Sequence, residues 1–212
     1  HYDWDTSLYN AKYDTNGYVA HNQTHAFIAL RGSTSAQDWM DDLDVRQIPY
    51  MTDTCGENCA VHEGFFNYAM AVKSQVEDAL VPMRDKKWIF TAHSLGASVI
   101  LLANWFRIQY DDQEIAVLTF GSPRIGNQAF AAFTDMIHNH HSLRFTHYKD
   151  IVPHTPLPFR FQHVNTEVYE DETGELTVCR TERDICSAQF VWNELSVKDH
   201  SVYLGYRFEC LC

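Results

Sequence analysis

The stretch "WIFTAHSLGASVILL", Trp88 to Leu102, constrains the fold more than any other part of this 212-residue chain. Trp88–Thr91 reads as a short strand, and Leu95–Tyr110 reads as a helix that opens on a long apolar run. A strand that becomes a helix within so few residues needs a very tight turn, which lifts the Ser94 hydroxyl above the sheet edge. Residues two positions either side of that serine must be small to avoid clashing. Gly96 satisfies one position, and Ala92 adds a single methyl group at the other. Ser94 is therefore a candidate nucleophile on a strand–turn–helix elbow. The competing reading is a serine N-cap on a buried helix.

The surrounding pattern favours an α/β sheet, because buried strands alternate with helices through the middle of the chain. Tyr18–His21 and Ala26–Leu30 are expected as strands around an Asn22-Gln23 turn. Phe65–Leu80 is expected as a helix closed by Pro82, and Ala116–Phe120 as a strand stopping at Gly121-Ser122-Pro123. A helix over Asn127–Asn139 and a strand over Leu143–Thr146 follow. Val164–Tyr169 and Glu175–Cys179 form a hairpin pattern about Thr173-Gly174. Without repeats, linkers or low-complexity tracts, residues 1–212 are expected to form one domain.

A serine hydroxyl attacks only when a histidine takes its proton, and that imidazole needs a carboxylate to fix its tautomer. On such a fold the chain order is serine, acid, histidine. Asp150, just beyond the Leu143–Thr146 strand, suits the acid. Asp135 lies inside a helical stretch, and Asp111 and Asp112 read as a solvated turn. His147, His154, His163 and His200 compete for the base. His147 and His154 stand close to Asp150, while His163 reads as a structural hydrogen-bonding residue. His200 lies on a late loop, where the order requires the base. His138, His140 and His141 are too irregularly spaced for a metal site and are expected to form a solvated helix end. The oxyanion formed by such a nucleophile needs backbone N–H donors. One is expected at Leu95, directly after Ser94, and another from the Leu30–Thr34 loop.

The net charge of −12 argues against nucleic acids and strongly anionic membranes as partners, and leaves neutral substrates open. The charge-free apolar run Leu95–Phe106 is too short to cross a bilayer. The polar opening His1-Tyr2-Asp3-Trp4-Asp5 does not resemble a signal peptide and suits a mature or processed end. Six cysteines and the glycosylation sequon Asn22-Gln23-Thr24 favour a secreted, disulfide-bonded protein over one with reduced cytosolic thiols. Cys55 is close enough to Cys59 to staple one loop, and Cys179 is similarly close to Cys186.

Seven ordered segments, "FIALRGSTSAQDWMDDL", "VHEGFFNYA", "FTAHSLGAS", "FGSPRIGN", "RFTHYKDIVPHTP", "FQHVNTEVY" and "DHSVYLGY", resemble the fungal-type (class 3) triacylglycerol lipases. That family also includes feruloyl esterases. The resemblance runs from about Tyr18 to Tyr206 and implies an α/β-hydrolase fold, a mostly parallel central sheet flanked by helices. It implies Ser94 as nucleophile, Asp150 as acid, His200 as base and Ser33 as the second oxyanion donor, with no metal or organic cofactor. The chain departs from the family at Ala92, where glycine is commoner, and begins inside the usual domain, so it is N-terminally shortened. Cys210 and Cys212 are separated by one residue, which would strain a mutual bond. At least one of them is expected to pair with the family's preceding segment, with their mutual bond as the alternative.

After Ser33, the residues Ala36, Trp39, Met40 and Leu43 fall on one face of a short helix with aspartates on the remainder. An amphipathic helix beside an oxyanion loop resembles a lipase lid, with an ordinary packed surface helix as the alternative. The expected activity is hydrolysis of acylglycerols or other neutral esters at a lipid–water interface. Feruloyl or other soluble esters are the second reading, and an inactive binding module is the third.

Overall fold

The computed structural model describes residues 3–32, 45–139, 141–164, 166–180 and 186–208. Its strands are β1 (Asp3–Asn10), β2 (Thr15–His21), β3 (His25–Leu30), β4 (Gln47–Pro49), β5 (Ala60–His62) and β6 (Lys87–His93). There follow β7 (Ile115–Phe120), β8 (Ser142–His147), β9 (Glu167–Glu170), β10 (Leu176–Cys179), β11 (Val202–Tyr203) and β12 (Tyr206–Arg207). Eight strands share one sheet in the order β1-β2-β3-β6-β7-β8-β9-β10. The five from β3 to β9 run parallel, and the outer pairs at both edges are antiparallel. Helices connect the central strands, which is the α/β-hydrolase arrangement.

The core forms where β6 meets the helix Val99–Gln109. Along β6, Trp88, Phe90 and Ala92 point inward, because side chains of a strand alternate between faces. Trp88 meets Phe106 edge to face at 5.9 Å and donates its indole N–H to the Met83 carbonyl at 3.0 Å. The helix presents Val99 through Asn104 and Phe106 to buried surroundings, so it is wrapped on nearly every side. Each large apolar side chain so buried contributes about 1.5–3 kcal/mol. Parallel pairing also has a directional consequence: β3, β6, β7 and β8 all deliver their C-terminal ends to one edge of the sheet, the edge where open α/β sheets build their sites.

Several elements differ from the sequence expectation. β1 is an added edge strand, and only its Leu8 is buried, so it carries no alternating apolar signal. The expected helix Phe65–Leu80 is two helices, Glu63–Met70 and Lys73–Leu80. The Thr15 hydroxyl donates to the Tyr68 carbonyl at 2.7 Å, and the Asn10 amide donates to the Ala71 carbonyl at 3.3 Å. These side chains take carbonyl groups that a continuous helix would use, and Val72 N–H turns to Ala69 instead. The helix after Ser94 opens as a tight 3-10 turn over Ser94–Ser98 before becoming α-helical at Val99. Cys55–Cys59 and Cys179–Cys186 form disulfides, with Cα atoms 5.7 and 6.4 Å apart. Cys210 and Cys212 lie outside the described residues.

The expectation of a solvated histidine end is corrected at His138, which is only 2% exposed. The Asn104 amide donates to the Thr134 hydroxyl at 2.8 Å, so its oxygen accepts from His138 Nε2 at 2.9 Å. His138 Nδ1 is then left buried and, among the described residues, without a partner. Burial pushes the imidazole down to about 4, with repulsion from Arg107 and His141 adding to it. The neutral ring is thus favoured by folding, while the unfolded chain protonates near its ordinary value of 6.5. Stability from this group is complete above that value, falls as the pH drops below it, and is lost by about pH 4. The loss amounts to about 3 kcal/mol, by the energy equivalent of the shift. Urea unfolding at pH 7 and pH 4.5 should show it, and His138→Gln should have a visibly flatter profile over that window. Parallel profiles for the two proteins would contradict this account of His138.

Candidate active site

Ser94 stands at φ 59°, in the left-handed region that a non-glycine residue adopts only under local constraint. The constraint is the abutting end of β3. A Cβ on Gly96 would lie 2.4 Å from the Leu30 carbonyl oxygen and 2.8 Å from that of Arg31. Gly32 is confined as well, though less tightly, since its Cβ would meet the His93 carbonyl oxygen and Ser94 Cβ, both at 2.9 Å. The Tyr68 hydroxyl holds this loop by donating to the Arg31 carbonyl at 2.6 Å. Ala92 remains within β6, opposite Leu30 and Thr119, so its methyl group is absorbed in the sheet before the turn begins.

Asp150 follows β8 and is 2% exposed. Its Oδ1 accepts from the Val152 N–H at 2.8 Å, and its Oδ2 accepts from His200 Nδ1 at 2.8 Å and from the Tyr203 hydroxyl. Burial and the adjacent Asp150 charge raise the Tyr203 phenol well above its ordinary range, so it stays protonated as a donor. Gly121, at the end of β7, lies against this pair with φ 57°. A Cβ there would sit 2.8 Å from two atoms of the His200 ring and 2.9 Å from Asp150 Oδ2. The segments that carry Asp150 and His200 are also stitched through their backbones: Ser196 N–H donates to the Lys149 carbonyl at 2.8 Å, and Ile151 N–H donates to the Ser196 carbonyl at 3.3 Å.

His200 Nδ1 faces the carboxylate, which leaves Nε2 as the ring nitrogen turned away from it. Among the described residues, buried His200 Nε2 and buried Ser94 Oγ both lack a hydrogen-bond partner. The two atoms are therefore not hydrogen-bonded to each other in this structure. His93, one residue before Ser94, reaches the His200 carbonyl at 2.7 Å and packs on the His200 ring at 4.3 Å. Burial, reinforced by repulsion from His200, pushes His93 down to about 4, so its neutral form is favoured beside His200.

Of the other candidates, His147 and His163 are engaged elsewhere. His147 Nδ1 meets the Asp199 carbonyl at 3.0 Å, supporting the loop that carries His200. His163 Nε2 meets the Pro153 carbonyl at 2.7 Å. His154 is lowered by burial and by nearby Arg124, and its Nε2 has no partner among the described residues. Asp112 pairs with Arg84 at the surface, and Asp135 lies within the helix Gln128–His138. Leu95 follows Ser94 in the 3-10 turn, where early N–H groups lack partners within the helix. Ser33 and the residues Ala36, Trp39, Met40 and Leu43 lie outside the described residues. His93, Tyr203 and Tyr68 were not anticipated. Only the position of His93 beside Ser94 was a local clue.

Residues 27–160 match the family described as Lipase (class 3). The chain belongs to that family. This class 3 lipase relative is 30% identical to a lipase of Rhizomucor miehei over 95% of its own length, but spans 57% of that protein. It is 29% identical to secreted mono- and diacylglycerol lipase 1 of Fusarium solani, over 78% of this chain and 50% of that one. A solved Rhizomucor miehei triacylglyceride lipase superposes with a TM-score of 0.87 at 28% identity, covering 98% of this chain and 82% of that one.

Tyr203 supplies one of three hydrogen bonds received by the Asp150 carboxylate. Tyr203→Phe keeps the ring and removes only that donor. It should lower the unfolding free energy by about 1–3 kcal/mol, the range for losing a buried hydrogen bond to a charged group. Chemical denaturation measures this, and an unchanged midpoint would mean that the hydroxyl contributes nothing to holding the acid.

Proposed function

We propose that this chain is a secreted serine ester hydrolase acting on acylglycerols, with Ser94 as nucleophile, His200 as base and Asp150 as acid. The observation that carries the proposal is the buried Asp150–His200 hydrogen bond, with Ser94 on the left-handed turn that directly follows β6. Ser94 Oγ attacks the ester carbonyl carbon as His200 Nε2 takes its proton, while Asp150 stabilises the imidazolium. The carbonyl π electrons move onto oxygen, which the Leu95 and Ser33 N–H groups receive. Collapse of this adduct breaks the bond to the alcohol, which leaves with the proton from His200. Water then repeats the sequence on the acyl-serine, releasing the fatty acid and restoring Ser94.

Secretion is supported by the two disulfides and by the secreted Fusarium solani relative. No helix among the described residues is long and apolar enough to cross a membrane. A lipid interface is supported by the ribbon after His200, where Leu204, Tyr206 and Phe208 are exposed. In this reading Thr34–Asp44 is a lid whose apolar face, with Trp39, covers the site in water and turns onto oil.

Ser94→Ala should remain folded and lose both turnover and labelling by a fluorophosphonate. Asp150→Asn and His200→Ala should each lower kcat by roughly 10⁴. His163→Ala should retain activity wherever it folds. A folded His163→Ala as inactive as His200→Ala would remove the base assignment, and failure of the parent to label would favour an inactive binding module.

The lid is tested separately by rates on a medium-chain triglyceride below and above its solubility limit. The rate should jump at the limit, and Trp39→Asp should blunt the jump more than it slows a soluble short-chain ester. The aspartates opposite the apolar face should make anionic interfaces poorer activators than neutral ones, most visibly at low salt. A smooth saturation curve that ignores Trp39→Asp would instead support a soluble-ester hydrolase.

A further inference from the structure

The sequon Asn22-Gln23-Thr24 has no part in the site and forms the tip of the β2–β3 hairpin. Asn22 Oδ1 accepts from the N–H groups of Thr24 at 2.9 Å and His25 at 2.8 Å, and from the Thr24 hydroxyl at 3.3 Å. The oxygen of the amide is therefore committed to the turn. The amide nitrogen, Nδ2, takes no part in those bonds, and Gln23 and Thr24 are exposed beside half-buried Asn22. The turn is pinned from the neighbouring strand, because Lys86 Nζ donates to the Gln23 carbonyl at 3.3 Å and Lys87 N–H to the Thr24 carbonyl at 3.0 Å.

Strand register fixes where this turn lies relative to the elbow. His25 pairs with Lys87 at the start of β6, whereas Ser94 follows its end. The rise along a strand of that length separates them by roughly 20 Å. We infer that Asn22 is an N-linked glycosylation site, with its oligosaccharide on the pole of the sheet opposite Ser94. The inference rests on the secretory passage proposed above, since the modifying machinery acts there. The donor is a polyprenyl-pyrophosphate-linked oligosaccharide. A bond forms between Asn22 Nδ2 and the anomeric carbon, and the bond from that carbon to the pyrophosphate oxygen breaks. Nδ2 loses one proton, the leaving pyrophosphate keeps the electron pair, and nothing is oxidised or reduced. A bulky hydrated group at this pole leaves the opposite edge of the sheet clear for substrate.

The test is expression with a secretory leader in yeast, followed by mass spectrometry of the Asn22 peptide before and after peptide-N-glycosidase. The peptide should gain the mass of a hexosamine-based oligosaccharide and lose it on treatment, leaving an aspartate at that position. Thr24→Ser should retain the modification, and Thr24→Ala and Asn22→Gln should lose it. Removing the glycan from the folded parent should leave the rate on a soluble short-chain ester unchanged. An unmodified Asn22 in protein whose Cys55–Cys59 and Cys179–Cys186 bonds have formed would overturn the inference. A severalfold loss of rate on deglycosylation would overturn the separation of the glycan from the site. Modified protein without esterase activity would uphold the glycan and count against the proposed function alone.

Discussion

No side chain fits at Gly96. The carbonyl groups of Leu30 and Arg31 occupy the space that its Cβ would need, and Gly32 approaches Ser94 closely from the other direction. Parallel pairing of β3 with β6 brings these two chain ends together. The same crowding accompanies the left-handed backbone of Ser94, a conformation costing about 1–3 kcal/mol for an ordinary residue. The large inward side chains Trp88 and Phe90, directly upstream on β6, supply burial of the same magnitude or more. A well-packed strand can therefore sustain a strained end.

The remaining parts hang from neighbouring strand ends at the same edge. β7 stops at Gly121, whose bare backbone leaves room for both the His200 ring and the Asp150 carboxylate. β8 runs out into Asp150, and the residues around it form backbone bonds with the segment before His200. Deeper in the sheet, Arg144 of β8 meets Glu167 of β9 at 3.0 Å, with both side chains almost wholly buried. Burial alone would raise the Glu167 carboxyl, but Arg144, Ser187 and Thr146 outweigh it and hold the group at about 2. This ion pair ties together the two strands that flank the Asp150 loop, where removal of one partner would strand a buried charge.

What was legible in the sequence was chiefly local. The elbow could be read because strand, small residues, serine and helix are contiguous, and Asp150 because it directly follows a recognisable strand. His200 emerged from chain order, and the structure hydrogen-bonds it to Asp150 across fifty positions. Features set by distant contacts left no such trace. Tyr203 looks like any aromatic of a short ribbon until folding brings its hydroxyl to Asp150. The break at Ala71 and Val72 has no glycine or proline to announce it, because Asn10 and Thr15 cause it from another part of the chain. His138 looked solvated because Asn104 and Thr134, its companions, come from two different helices.

The backbone stitching between Lys149–Ile151 and Ser196 joins the segments carrying Asp150 and His200 into a single inheritable cassette. A crossover between two homologous genes that falls between these segments would join one parent's Asp150 loop to the other's His200 loop. Their ladder, the close packing of both side chains on Gly121 and the tyrosine on the carboxylate would then come from backbones never selected together. Crossovers outside the pair would transfer Asp150, His200 and Tyr203 as one unit. Recombination should therefore conserve the geometry of this pair more faithfully than its individual amino acids, and shuffled genes that survive should seldom break between positions 149 and 203.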